Sequence, residues 1–114
     1  MTGPYEKYNP AGKPRISGTH LNGKKTGKWK FYFVDGGAID REANFNDDLL
    51  HGEYKAYFKS GIVLREGEWD MGKKIGHWIW RDRTGQKDME GDFNEDLQEG
   101  KWTYYYPNGN IHYT

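Results

Sequence analysis

Hydrophobic and polar positions alternate along most of this chain, and the alternation itself repeats. In Trp29-Lys30-Phe31-Tyr32-Phe33, positions 29, 31 and 33 share one face, the period of two expected of a β-strand. The pattern predicts hairpins whose first strands cover 39–46, 63–70 and 87–94. Their second strands cover 28–34, 53–59, 77–81 and 101–106. Turn-like segments separate them: Asp35-Gly36-Gly37, Lys59-Ser60-Gly61, Arg83-Thr84-Gly85 and Pro107-Asn108-Gly109. Each has glycine where a left-handed backbone is wanted. No stretch shows the helical period with caps, so almost no helix is predicted.

Glycines fix the length of the repeat. Gly3, Gly27, Gly52, Gly76 and Gly100 are spaced 24, 25, 24 and 24 residues apart. A second glycine follows each by nine: Gly12, Gly36, Gly61, Gly85 and Gly109. Gly18, Gly67 and Gly91 precede three of these anchors by nine, and Ala43 holds the remaining equivalent place. Thirteen of the 16 glycines are thus in register, which makes this an internally repeated chain. The aromatics keep the same period. Tyr5, Trp29, Tyr54, Trp78 and Trp102 follow each anchor by two, and His20, Phe45, Trp69 and Phe93 precede it by seven. The repeat-defining residues are therefore Gly27, Gly52, Gly76, Gly100, Trp29, Tyr54, Trp78, Trp102 and Trp69. The single longer spacing comes from an added glycine in Asp35-Gly36-Gly37, placed in a turn.

Parity sorts the strand residues onto two faces. One collects Ile39, Ala43, Phe45, Val63, Gly67, Trp69, Met89, Gly91 and Phe93 from first strands. Second strands add Trp29, Phe31, Phe33, Tyr54, Phe58, Trp78, Trp80, Trp102, Tyr104 and Tyr106. This face is the expected core, with a ring of a neighbouring strand lying over each mid-strand glycine. The other face carries Asp40, Glu42, Glu66, Glu68, Asp70, Asp88, Glu90 and Asp92 on first strands. Against them stand Lys28, Lys30, Tyr32, Lys55, Tyr57, His77, Arg81 and Tyr105 on second strands. Opposite charges directly across strands contribute roughly 0.2–1 kcal/mol each. Two readings stay open: mutual neutralisation that keeps an open sheet soluble, or a recognition surface. On the second, the candidate partner-binding residues are Tyr32, Tyr57, Arg81, Tyr105, Lys30 and Lys55.

Composition sharpens this picture. With 114 residues the chain is one domain by length. Apolar content of 34% and a mean hydropathy of −1.11 suggest disorder, but 17% aromatic residues argue for a thin, ring-built core. Seventeen basic and 17 acidic residues balance to zero, which speaks against nucleic acid as partner. The lack of cysteine removes disulfides and thiolate metal sites. It fits a reducing compartment, so a cytoplasmic location is expected. No apolar segment follows the initial Met as a signal peptide would, and no run approaches a membrane span.

Catalytic constellations do not emerge. His20, His51, His77 and His112 occupy four different repeat positions, none paired at metal-ligand spacing. The acids recur with the repeat, as a solvated face does. Asn22-Gly23-Lys24-Lys25-Thr26-Gly27-Lys28 lacks the spacing of a phosphate loop. Lys24-Lys25 and Lys73-Lys74 are read as loop lysines, and the matching Leu49-Leu50 and Leu97-Gln98 lie beside acids. A sign that alternates from unit to unit gives only weak support for a lipid headgroup surface. The chain is expected to bind a partner without cofactor or metal and not to be an enzyme.

The segment Gly67-Glu68-Trp69-Asp70-Met71-Gly72-Lys73-Lys74-Ile75-Gly76-His77-Trp78 resembles the MORN repeat, G-x-W-x-x-G-x-x-x-G-x-G. An aromatic stands where that repeat has its last glycine. Gly100-Lys101-Trp102-Thr103-Tyr104-Tyr105-Tyr106-Pro107-Asn108-Gly109 is similar to the bacterial MORN-variant family, which includes YwqK-like proteins labelled antitoxins. The resemblance implies an all-β, single-layer, twisted antiparallel sheet of stacked hairpins, about 24 residues per repeat. It divides into a partial unit 1–17 and units 18–42, 43–66, 67–90 and 91–114. It also implies neutralisation of a toxin by direct binding, with a membrane-associated or scaffolding role as the alternative. The first and last segments read as half-units without polar caps. Pairing of open strand edges with another copy or a partner, or a longer array, is the expectation there.

Overall fold

The computed structural model describes residues 2–34, 37–108 and 111–113. It is one ten-stranded antiparallel sheet in sequential order, with no helix among the described residues. The strands are β1 (Gly3–Tyr8), β2 (Pro14–Leu21), β3 (Lys24–Tyr32), β4 (Ile39–Asn46) and β5 (Leu49–Tyr57). They continue as β6 (Val63–Asp70), β7 (Lys73–Arg81), β8 (Lys87–Asn94), β9 (Leu97–Tyr105) and β10 (Ile111–Tyr113). The extents are 48 × 32 × 12 Å. Ten strands at a spacing of about 4.8 Å account for the long dimension, and the 12 Å thickness is that of a single layer.

Bounds of the first strands β4, β6 and β8 agree with the sequence to the residue. The second strands begin four residues or so earlier than alternation indicated. The cause is a set of two-residue turns with both residues at positive φ: Asn22 and Gly23, Asp47 and Asp48, Met71 and Gly72, Glu95 and Asp96. Such paired left-handed residues match the twist of the flanking strands and keep a hairpin tight. Lys24-Lys25, Leu49-Leu50, Lys73-Lys74 and Leu97-Gln98 are consequently strand residues, contrary to the loop placement.

At the far ends the second strands β3, β5 and β9 stop earlier than expected. Phe33 and Phe58 close loops there, through Phe33 N–H to the Ala38 carbonyl at 3.0 Å and Phe58 N–H to the Ile62 carbonyl at 2.8 Å. Tyr106 lies beyond β9 and is 47% exposed. The insertion at Asp35-Gly36 and the turn residue Gly109 lie outside the described residues.

Two kinds of bulge shape each unit. Near the loop ends, Phe31 pairs with Arg41 but Tyr32 pairs with Ile39. Ala56 pairs with Arg65 but Tyr57 with Val63. One extra residue in β4 and in β6 reverses parity there. Ile39 and Val63 thus belong with Tyr32 and Tyr57, not with the aromatic face as parity alone suggested. Arg41 and Arg65, on the other side of the bulge, keep the aromatic face that parity gives them.

The second bulge lies at the anchor glycines. Gly27, Gly76 and Gly100 sit at φ 67°, 68° and 68°. Around them three residues face one: 27–29 face Gly18, 76–78 face Gly67, and 100–102 face Gly91. The bulge lets Trp29, Trp78 and Trp102 fold back over the glycine of the preceding strand. It also exposes backbone carbonyls, which the indoles cap. Trp29 Nε1–H donates to Thr19 and Thr26 carbonyls at 3.0 and 3.2 Å, and Trp78 Nε1–H to Glu68 and Ile75 at 3.1 Å each. Trp102 Nε1–H donates to the Asp92 carbonyl at 3.2 Å. Tyrosine cannot make this bond, and in the Tyr54 unit Asn44 Nδ2 reaches the Glu53 carbonyl at 2.9 Å instead.

The core is therefore a row of rings on one face. Trp29 and Trp78 are each 1% exposed. Trp69, Trp80 and Phe93 pack edge-on or tilted around Trp78 at centroid distances of 5.6–6.1 Å, favourable geometries for aromatic pairs.

Candidate binding faces

The polar face is held together by a ladder of glutamates. Glu42, Glu66 and Glu90 occupy the middle of β4, β6 and β8. Each accepts a hydrogen bond from the residue fifteen positions later on the next strand. Tyr57 Oη donates to Glu42 Oε1 at 2.5 Å, and Arg81 Nη1 to Glu66 Oε2 at 2.6 Å. Tyr105 Oη donates to Glu90 Oε2. Three of the six candidate partner-binding residues, Tyr57, Arg81 and Tyr105, thus each bond to a carboxylate inside the sheet. Lys30 and Lys55 flank Glu42 in register from either side. Tyr32 stands at the same repeat position as Tyr57, but the residue matching Glu42 is Ser17. Among the described residues its hydroxyl makes no hydrogen bond. The fifteen-residue spacing was readable in the sequence, and parity analysis passed over it because it treated each strand separately.

The ladder tunes its own titration. The hydrogen bond from Tyr57 lowers the Glu42 carboxyl, against its burial, with help from Lys28 and Lys30. Burial and the bond to Glu42 push the Tyr57 hydroxyl up to about 12. Burial alone would raise Glu90. Donors from Tyr105, His77 Nε2 at 2.8 Å and Lys87 Nζ at 3.0 Å outweigh it and hold the carboxyl at about 2. His77 is clamped on both ring nitrogens, with Nδ1 2.8 Å from Asp92 Oδ1. Its bonds to Glu90 and then Asp92 raise its pKa above 6.5.

A pH profile follows from these two groups. His77 has its folded pKa raised, so its contribution is complete below 6.5 and fades as pH rises through the folded value. Glu90 has its folded pKa depressed, so its contribution is complete above 4.5 and fades as pH falls towards 2. Stability should be highest between these limits. Urea midpoints measured from pH 3 to pH 9 should show Glu90→Gln flattening the acid limb and His77→Gln flattening the alkaline one. An unchanged profile in both variants would remove the ladder from the account.

The aromatic face carries cations that sequence reasoning had placed elsewhere. Lys25 Nζ lies 5.6 Å from the Trp29 ring and 5.5 Å from Phe45. Lys74 Nζ lies 5.4, 5.9 and 5.2 Å from the centroids of Trp69, Trp78 and Phe93. Arg41 stacks 4.4 Å over Phe31. Cations at such distances are attracted by the ring faces. They reach this face because the tight turns bring 24–25 and 73–74 into the ladder, which the loop assignment could not reveal.

No curated protein matches the chain. The hairpin repeat, with its glycine anchors and folded-back aromatics, is similar over residues 50–71 and 98–114 to the family described as MORN repeat variant.

Proposed function

We propose that this chain is a protein-binding repeat module of the antitoxin or immunity type, which neutralises a partner by direct contact in the cytoplasm and without catalysis of its own. The observation that carries the reading is the single layer. Each broad face of a 48 × 32 Å sheet is open to a partner, and stable interfaces need only roughly 800 Å² per side. The aromatic face supplies Trp, Tyr and Arg side chains, the residue types that dominate binding energy at interfaces. Tyr32 offers a hydroxyl committed to no other group among the described residues, and Lys30 and Lys55 offer ammonium groups, on the other face. The similarity to the MORN repeat variant supports a binding repeat, and the antitoxin assignment extends it.

The test is affinity capture with the full tagged chain from its host lysate across a salt series. Each captured protein is then expressed alone and together with this chain. A stoichiometric partner that arrests growth alone, with growth restored by co-expression, is the expected result. Harmless partners, or capture of acidic lipid vesicles that weakens with salt, would replace this reading with scaffolding or membrane association.

A further inference from the structure

The units differ in what surrounds the small residue at their centre. Around Gly18 stand Ile16 and Lys25, around Ala43 Arg41 and Leu50, and around Gly91 Met89 and Gln98. Around Gly67 alone both positions are cationic, Arg65 and Lys74. There a cleft of about 230 Å³ opens on the aromatic face, lined by Tyr54, Arg65, Trp69, Lys74, Trp78 and Trp80. Among the described residues neither Arg65 nor Lys74 pairs with a carboxylate.

Arg65 is also less engaged than its counterpart. Arg41 lies opposite Phe31 and stacks on that ring at 4.4 Å. Arg65 lies opposite Ala56, where other units have Phe31, Trp80 and Tyr104. Its guanidinium lies 5.7 Å from the Tyr54 ring, and among the described residues its one hydrogen bond, Nη2 to Tyr54 Oη at 3.2 Å, leaves most of its donors unused. Among the described residues the indole N–H of Trp69, buried in the wall of the cleft, has no acceptor. Two cations that meet rings but no carboxylate, beside three indoles, match an anion carried on a flat apolar body. A guanidinium fork suits a carboxylate in particular.

We propose that the cleft over Gly67 binds an organic carboxylate with a planar apolar body, the carboxylate between Arg65 and Lys74 and the body against Trp69 and Trp80. The carboxylate can come from a free aromatic acid or from an acidic side chain beside an aromatic one on a bound protein.

The five tryptophans provide the readout, as indole N–H resonances of the full chain titrated with benzoate. Saturable shifts confined to Trp69, Trp78 and Trp80, with Trp29 and Trp102 unmoved, are expected. Benzamide and benzylamine should not produce them. Arg65→Met and Lys74→Gln should each weaken benzoate by about tenfold or more, the size expected for a lost charge-assisted hydrogen bond. Both place at this unit what the next unit already carries, so the sheet should remain folded. Arg41→Met should leave benzoate binding as it was. A capped Gly-Glu-Phe-Gly peptide that moves the same three resonances assigns the carboxylate to a protein side chain, and a response to benzoate alone assigns it to a free acid. No shift with any acid, equal binding of benzamide, or Arg65→Met behaving like the unmodified chain would overturn the site.

Discussion

Gly67→Ala should destabilise the sheet by about 3 kcal/mol or more, the upper end of overpacking costs. A Cβ built at Gly67 falls within the indole of Trp78, far inside the 3.0 Å that real Cβ contacts respect. The ring cannot yield cheaply. Trp78 is 1% exposed, and its Nε1–H is tied to the Glu68 and Ile75 carbonyls at 3.1 Å. Small domains have only about 5–15 kcal/mol in all, so one methyl group removes a large share. The chain contains its own control. In the unit where the glycine is replaced, by Ala43, the facing aromatic is Tyr54 and not tryptophan. Adding Gly67→Ala to Trp78→Tyr should therefore cost no more than about 1 kcal/mol, a coupling of about 2 kcal/mol or more, at the upper end for touching residues. Urea denaturation of the four chains completes the cycle. Equal costs in both backgrounds would mean that the glycine serves something other than the indole.

The same pair shows what is legible in such a sequence. Glycine and aromatic at a fixed offset imply a ring over a bare backbone, and Gly18, Gly67 and Gly91 all meet that expectation. First strands are legible because their polar face carries an uninterrupted run of acids and amides. Bulges are not, since alternation counts one residue against one. A single extra residue moved Val63 to the polar face and left Arg65 on the aromatic one. The tight turns were hidden for a different reason. Asn22-Gly23 carries the usual signal, whereas Asp47-Asp48, Met71-Gly72 and Glu95-Asp96 are not the usual pairs, and Met71 and Glu95 reach positive φ with side chains that seldom adopt it. Hydrogen bonds from the neighbouring unit hold all three: the N–H groups of Asp48, Gly72 and Asp96 donate to the Lys25, Leu50 and Lys74 carbonyls at 3.1, 2.7 and 3.0 Å. The Asp48 and Asp96 carboxylates accept from the Lys25 and Lys74 N–H groups in return, at 2.6 and 2.8 Å. Parity puts Tyr57, Arg81 and Tyr105 on the face of the acids, but their commitment to Glu42, Glu66 and Glu90 is a property of the register.

Trp29→Ala should cost about 3–5 kcal/mol, as large-to-small changes at fully buried aromatics do. Trp29→Phe should lose about 1–2 kcal/mol of that, from the carbonyls of Thr19 and Thr26 left without their donor. The distribution of the loss matters more than its size. Every strand pairs only with its neighbours in sequence, so stability is close to a sum of unit and interface contributions. Trp29 packs against Tyr5, His20, Phe31 and Phe45, all in β1–β4. Native-state amide exchange of Trp29→Ala should thus show protection falling in β1–β4 and persisting in β7–β9. The benzoate response of Trp69, Trp78 and Trp80 should survive with it. A uniform loss of protection along the chain would show instead that the sheet melts as one unit, and that the cleft over Gly67 depends on rings far from it.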